Sequence, residues 1–272
     1  MTPLIWPRNP SRQRGFTLIE AVMAITITGV VVGVVAIFIV PAATAYFASA
    51  ARARLGDQAD TALRRIGRDL SQALPNSVRV SASERSLELI PVSGAARYAT
   101  EGGNPLQFGT ADASFDIVGP PLKLSAAAQR LAWYNLGAGT PDADAYTLAN
   151  VRTSTSAPGN ASSVGISGAA LPNVLQAPPF RVYAIEQPVS YRCAPSTRTL
   201  VRHSGYGFNA VQADPPVGGT SAVLARDVEG CRFSFNPGAV GARFGLVSLQ
   251  ITLRDQGETV SLYHAVHVDN LP

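Results

Sequence analysis

Charge is scarce in this chain. Acidic and basic side chains make up 15% of its 272 residues, against about 25% in an average soluble domain. Disorder driven by charge repulsion is therefore excluded for the chain as a whole. Lysine is nearly absent: Lys123 is the single one, and the rest of the 22 positive charges are arginines. Arg8, Arg12 and Arg14 lie in the first fifteen residues, which hold no Asp or Glu. The remainder carries 19 positive and 18 negative side chains. That balance is too even for the basic stripe of a nucleic-acid-binding domain, so no nucleic-acid partner is expected.

Metal and catalytic constellations are equally sparse. Cysteine is limited to Cys193 and Cys231, and histidine to His203, His264 and His267. His264 and His267 stand three apart in a strand-like run, which turns them to opposite faces and makes them a poor zinc pair. Asp142 and Asp144 lack the further spaced carboxylates of a calcium loop and read as a solvated turn. The Ser/Gly-rich run from Gly159 to Gly168 has no phosphate-loop lysine, and no Gly-x-Ser-x-Gly elbow occurs. Ser204, beside His203, has no organised partner. No enzyme activity, cofactor or metal is expected.

What is present sits first at the N-terminus. From Phe16 to Val40 the chain is apolar for 25 residues, interrupted only by Glu20 and a few Thr and Gly. As a helix this run reaches about 37 Å, enough for a hydrocarbon core of about 30 Å. Arg12 and Arg14 hold its N-terminal end in the cytoplasm, which places the chain from about Pro41 outside. Ala43-Thr44-Ala45 resembles a small-x-small cleavage site, but the apolar run is longer than the roughly 7–15 residues of a signal-peptide core. A carboxylate inside a spanning helix is costly, which marks Glu20 as a functional residue.

The run Arg14-Gly15-Phe16-Thr17-Leu18-Ile19-Glu20, followed by the long apolar stretch, resembles the N-terminus of type IV pilins and pseudopilins. The resemblance implies that prepilin peptidase cuts between Gly15 and Phe16 and methylates the new amino group of Phe16. It also implies that Glu20 docks the subunit against a neighbour's N-terminal amine. The expected organisation is a leader over 1–15, a transmembrane helix over 16–40, an amphipathic helix over 41–75 and a β-rich periplasmic domain over 76–272. The chain is then a single-pass inner-membrane protein with a cytoplasmic N-terminus, which later enters a pilus or pseudopilus.

Helical patterning continues past the membrane. Pro41 lacks an N–H, so a kink or local melting is expected there. Leu55, Ala59, Ala62, Leu63, Ile66, Leu70, Ala73 and Leu74 recur at spacings of three and four, the mark of one apolar face. Asp60 and Arg64 form an i,i+4 pair in the favourable order. The arginines at 64, 65 and 68 read as a solvated helix face. Pro75 and Asn76 end the run.

Beyond Asn76 the period changes to two. Strands are expected at Val78–Val80, Leu87–Leu89, Phe180–Ile185, Val189–Cys193, Cys231–Phe235, Phe244–Leu253 and Val260–Val268, with Gln256-Gly257 as a hairpin turn. The stretch from about Gly94 to Pro179 reads as long loops with a few strands. The fold class is α+β: a long N-terminal helix packed on antiparallel sheet. In an exported chain Cys193 and Cys231 most simply form one disulfide, two free buried thiols being the alternative.

The helix end Asp60 to Leu70, the run Ala73 to Arg79, Val189 to Cys193, Gly245-Leu246-Val247 and the ending His264 to Asn270 narrow the resemblance. They are similar to the O-type minor pilins of the mannose-sensitive haemagglutinin (MSHA) pilus, a family similar in turn to the J-type pseudopilins of type II secretion. The implied role is a minor subunit priming assembly, at or near a filament tip. The implied partners are other minor and major pilins and the inner-membrane assembly platform. A secretion pseudopilin and a DNA-uptake or adhesion module on the same scaffold stand as alternatives.

Overall fold

The computed structural model describes residues 15–238 and 243–272. They fall into two compact units, divided between Ala50 and Ala51.

In the first unit, α1 (Leu18–Val34) opens on Thr17, whose hydroxyl accepts from the Glu20 amide at 3.3 Å. That bond satisfies one of the free N–H groups of the first turn. None of the α1 residues is buried. A π-helical turn at Val35–Ile39 follows, and α2 (Val40–Ser71) continues from it. The backbone does not melt near Pro41. It widens its hydrogen-bonding just before the proline, which absorbs the missing donor without ending the helix. Among the described residues, Leu18–Ser71 is the one helix long and apolar enough to cross a membrane.

The second unit begins within α2. Leu55, Ala59, Ala62, Leu63, Ile66 and Leu70 are buried, and they share one face by their helical spacing. The strands that follow are β1 (Arg79–Val80), β2 (Ser86–Leu89), β3 (Val92–Tyr98), β4 (Ser114–Val118), β5 (Leu122–Leu124), β6 (Arg130–Trp133), β7 (Val151–Ser154) and β8 (Gly159–Ala161). Then come β9 (Ser163–Ser167), β10 (Arg181–Ile185), β11 (Val189–Ala194), β12 (Thr199–Ser204), β13 (Thr220–Arg226), β14 (Val228–Asn236), β15 (Phe244–Asp255) and β16 (Glu258–Asp269). Every pairing between them is antiparallel.

Two sheets meet the helix stripe. One has the order β1-β2-β11-β12-β13, the other β14-β15-β16. Their inward side chains, including Leu89, Tyr191, Leu200, Phe233, Leu249 and Ile251, form one core with the stripe. Ion pairs fasten the helix at its sides: Arg52 to Glu258 at 3.4 Å, Arg54 to Asp227 at 3.4 Å and to Asp255, and Arg202 to Asp69 at 3.2 Å. The Tyr191 hydroxyl also donates to Asp69.

The expectation of long loops between Gly94 and Pro179 needs correction. That stretch supplies most of a closed barrel of order β10-β3-β4-β9-β7-β6, with its own core around Phe115, Trp133, Leu131, Val164 and Val182. Phe115 and Trp133 meet edge to face at 5.9 Å. The strands are short and rich in Ser, Gly and Ala, so each carries little apolar alternation. Closure of the barrel supplies what each strand lacks alone.

Candidate functional site

Gly15 and Phe16 precede the helix, and no atom crowds the position a Gly15 side chain would take. The Gly15–Phe16 peptide thus lies in non-helical backbone immediately before the Thr17 cap. Phe16 is exposed. Glu20 lies in the first turn of α1 and is exposed, where a carboxylate complements the positive end of the helix dipole. It follows Phe16 by four residues, about one turn. Arg8, Arg12 and Arg14 lie outside the described residues.

Cys193 on β11 and Cys231 on β14 form a disulfide, with their Cα atoms 6.0 Å apart. The bridge joins the edge of one sheet to an inner strand of the five-stranded one, beneath α2. A main-chain bond ties the same seam, Phe233 N–H to the Glu84 carbonyl at 2.8 Å, while Cys193 N–H to the Arg85 carbonyl extends the β11–β2 ladder.

His264 and His267 occupy opposite faces of β16: His264 pairs in register with inward Leu249, His267 with outward Leu246. No group of three His, Cys, Asp or Glu able to hold a metal occurs among the described residues. Asp142 is exposed, but Asp144 is buried, which corrects the reading of both as a solvated turn. Its carboxylate accepts from the Gly139 and Tyr146 amides, each at 2.8 Å. Buried acceptors need such donors, so Asp144 organises its loop. The Ser204 hydroxyl hydrogen-bonds the Thr220 hydroxyl at 3.3 Å.

One cluster escapes sequence reading. Glu88, between Leu87 and Leu89, has the period of an outward strand residue, yet it is 2% exposed. The loop between β12 and β13 covers it. Arg79 donates to Glu88 at 2.6 Å, and the Tyr206 hydroxyl donates to it at 2.8 Å. The Arg79 guanidinium stacks on the Tyr146 ring at 3.6 Å and donates to the Asn209 and Ala210 carbonyls. Burial, then the Glu88 charge, holds the Tyr206 phenol well above its usual range, so it remains a donor. Asp214, on the same loop, accepts from Ser86 at 2.6 Å, Arg192 at 2.9 Å and Ser83 at 3.1 Å. Burial alone would raise its carboxyl; those hydrogen bonds outweigh it and hold the group below its ordinary value. The only sequence signal for this cluster was a carboxylate flanked by two leucines.

The chain matches the prokaryotic N-terminal methylation motif over residues 10–36. No curated protein and no solved structure matches the chain. The motif indicates a type IV pilin-like or pseudopilin protein. A long apolar N-terminal helix followed by antiparallel sheet gives the chain the α+β arrangement of that class. The motif implies processing by prepilin peptidase and assembly with other pilins, a structural role. Together with the single apolar helix it points to anchoring in the inner membrane.

Proposed function

We propose that the chain is a minor subunit of an MSHA-like type IV pilus, acting in assembly or priming at or near the filament tip. The observation that carries this reading is the methylation motif on a helix whose apolar side chains stay uncovered among the described residues of their own unit. Such a surface needs lipid first and neighbouring subunits later. Before assembly the chain spans the inner membrane once, N-terminus in the cytoplasm and second unit in the periplasm. Its partners are prepilin peptidase, the assembly platform and other minor and major pilins.

The chemistry follows from Gly15, Phe16 and Glu20. Hydrolysis of the Gly15–Phe16 amide frees the Phe16 amine, and N-methylation leaves that amine cationic. In an apolar surrounding a lone carboxylate is costly. Pairing Glu20 with the amine of an adjacent subunit removes that cost only in the correct register. Glu20 therefore selects the docked geometry.

The test is a filament count by electron microscopy on a deletion strain, rescued with wild type or with Glu20→Ala. Wild type restores filaments; Glu20→Ala is cleaved normally and restores few. Filaments unchanged by the deletion would remove the pilus reading and direct attention to a secretion pseudopilin.

A further inference from the structure

The longest edge strand in the two sheets on the helix stripe is β16. Its pairing with β15 runs through twelve consecutive residue pairs without a register shift, and among the described residues nothing pairs on the other side. Native sheets blunt such edges with proline, lysine, bulges or short strands. β16 has none of these, and its only carboxylates, Glu258 and Asp269, stand at its two ends.

Beside this edge runs a groove of about 700 Å³ between β16 and α2. Arg64 and Arg68 line it from the helix, His264 and His267 from the strand, and no Asp or Glu lines it. Arg64 is held by Asp60 at 2.7 Å; Arg68 is exposed and makes no ion pair among the described residues. Gly67 forms part of the groove wall, where an added Cβ would stand 3.2 Å from His264 Nε2. The groove thus combines free strand hydrogen-bonding groups, the half-buried Val266, the Asp60-paired Arg64 and one arginine, Arg68, with no ion-pair partner among the described residues.

We propose that the β16 edge accepts an extended, acidic strand from a neighbouring subunit, hydrogen-bonded along the edge with its carboxylates against Arg64 and Arg68. Strand addition takes affinity from the main chain and selectivity from side chains beside it. Here the selectivity is for negative charge. The assembly reading above identifies the source of the strand, and the inference rests on it in that respect.

The test uses the full chain in detergent. A fluorescent peptide of alternating valine and glutamate, and its counterpart of valine and lysine, are titrated by anisotropy, with hydrogen exchange followed over residues 258–269. The glutamate peptide binds at least about tenfold more tightly than the lysine peptide and slows exchange in β16. Arg64→Gln with Arg68→Glu weakens it about tenfold. If the double variant melts early, Arg68→Glu alone serves, since that side chain is exposed. Equal binding of both peptides, no binding, or protection elsewhere overturns the proposal. So does an oligodeoxynucleotide held by the same arginines without protection of β16. Absence of peptide binding alongside Glu20-dependent filaments removes the edge site and leaves the assembly role. Peptide binding in a protein whose deletion spares filaments removes the neighbouring subunit as the source of the strand.

Discussion

Between Leu18 and Val34 the chain buries no side chain, whereas between Leu55 and Leu70 it buries six. Leu18 is 87% exposed and Ile66 fully covered, although both are large aliphatic residues on helix. The earlier stretch is apolar on nearly every side, and among the described residues of its own unit nothing covers it. The later one confines its apolar residues to a stripe, and two sheets cover it. Helix formation alone therefore does not account for either sequence. The first is apolar on nearly every side; the second is written for a core that its own unit supplies.

The comparison can be sharpened at the disulfide, where the largest effect is expected. Replacing both Cys193 and Cys231 by serine reopens a loop of sequence separation 38. Chain entropy puts the loss at about 4 kcal/mol. The urea midpoint of the second unit should fall accordingly while helicity of the apolar stretch in detergent stays constant; an unchanged midpoint would show that the seam between the sheets holds without the bridge.

A matched pair of truncations comes next. Ile66→Ala removes a fully buried side chain and should cost about 2–5 kcal/mol. Val30→Ala, on an exposed residue, should change unfolding of the second unit by under about 0.5 kcal/mol. Equal losses would break the distinction between the two stretches.

The smallest effect concerns acid. Burial, then the Arg192 charge, lowers the His203 pKa, with Asp214 opposing. Its unfolded form holds the proton more tightly, so stability rises with pH from the folded value up to about 6.5 and is flat above. Asp214 is depressed instead, so its contribution is complete above its ordinary 3.8 and lost as pH falls through the folded value. The melting temperature should therefore drop on acidification, and His203→Asn should flatten the upper part of that decline. A variant profile parallel to wild type between pH 7 and 5 would remove His203 as a contributor. Both groups lie in the second unit, so the apolar stretch should show no matching change.

Local chemistry was legible in the sequence; remote pairing was not. Gln256 and Gly257, with φ of 49° and 85°, form the turn their identities suggested, because such turns depend on two residues. The stripe from Leu55 to Leu70 depends on one helix, and Gly15, Phe16 and Glu20 stand in one contiguous motif. The barrel instead requires β10 to pair with both β3 and β6, contacts that no short window contains. On β12 Arg202 and His203 occupy adjacent, oppositely facing positions and hide any alternation. Glu88 misled because its period predicts a wet outer face, and a distant loop covers that face. The β16 groove escaped for the same reason: Arg68 and His264 come together only after the sheets assemble on the helix.

The bridge between Cys193 and Cys231 also governs how the chain transmits force. A pull applied between its ends passes through the two sulfurs and bypasses everything between them. With a sequence separation of 38, about 130 Å of extensible chain is withheld from the load. The loop over Glu88 and the strands on either side of it lie within that shielded length, so tension can tear strands from the sheets without drawing out the segment that buries Glu88.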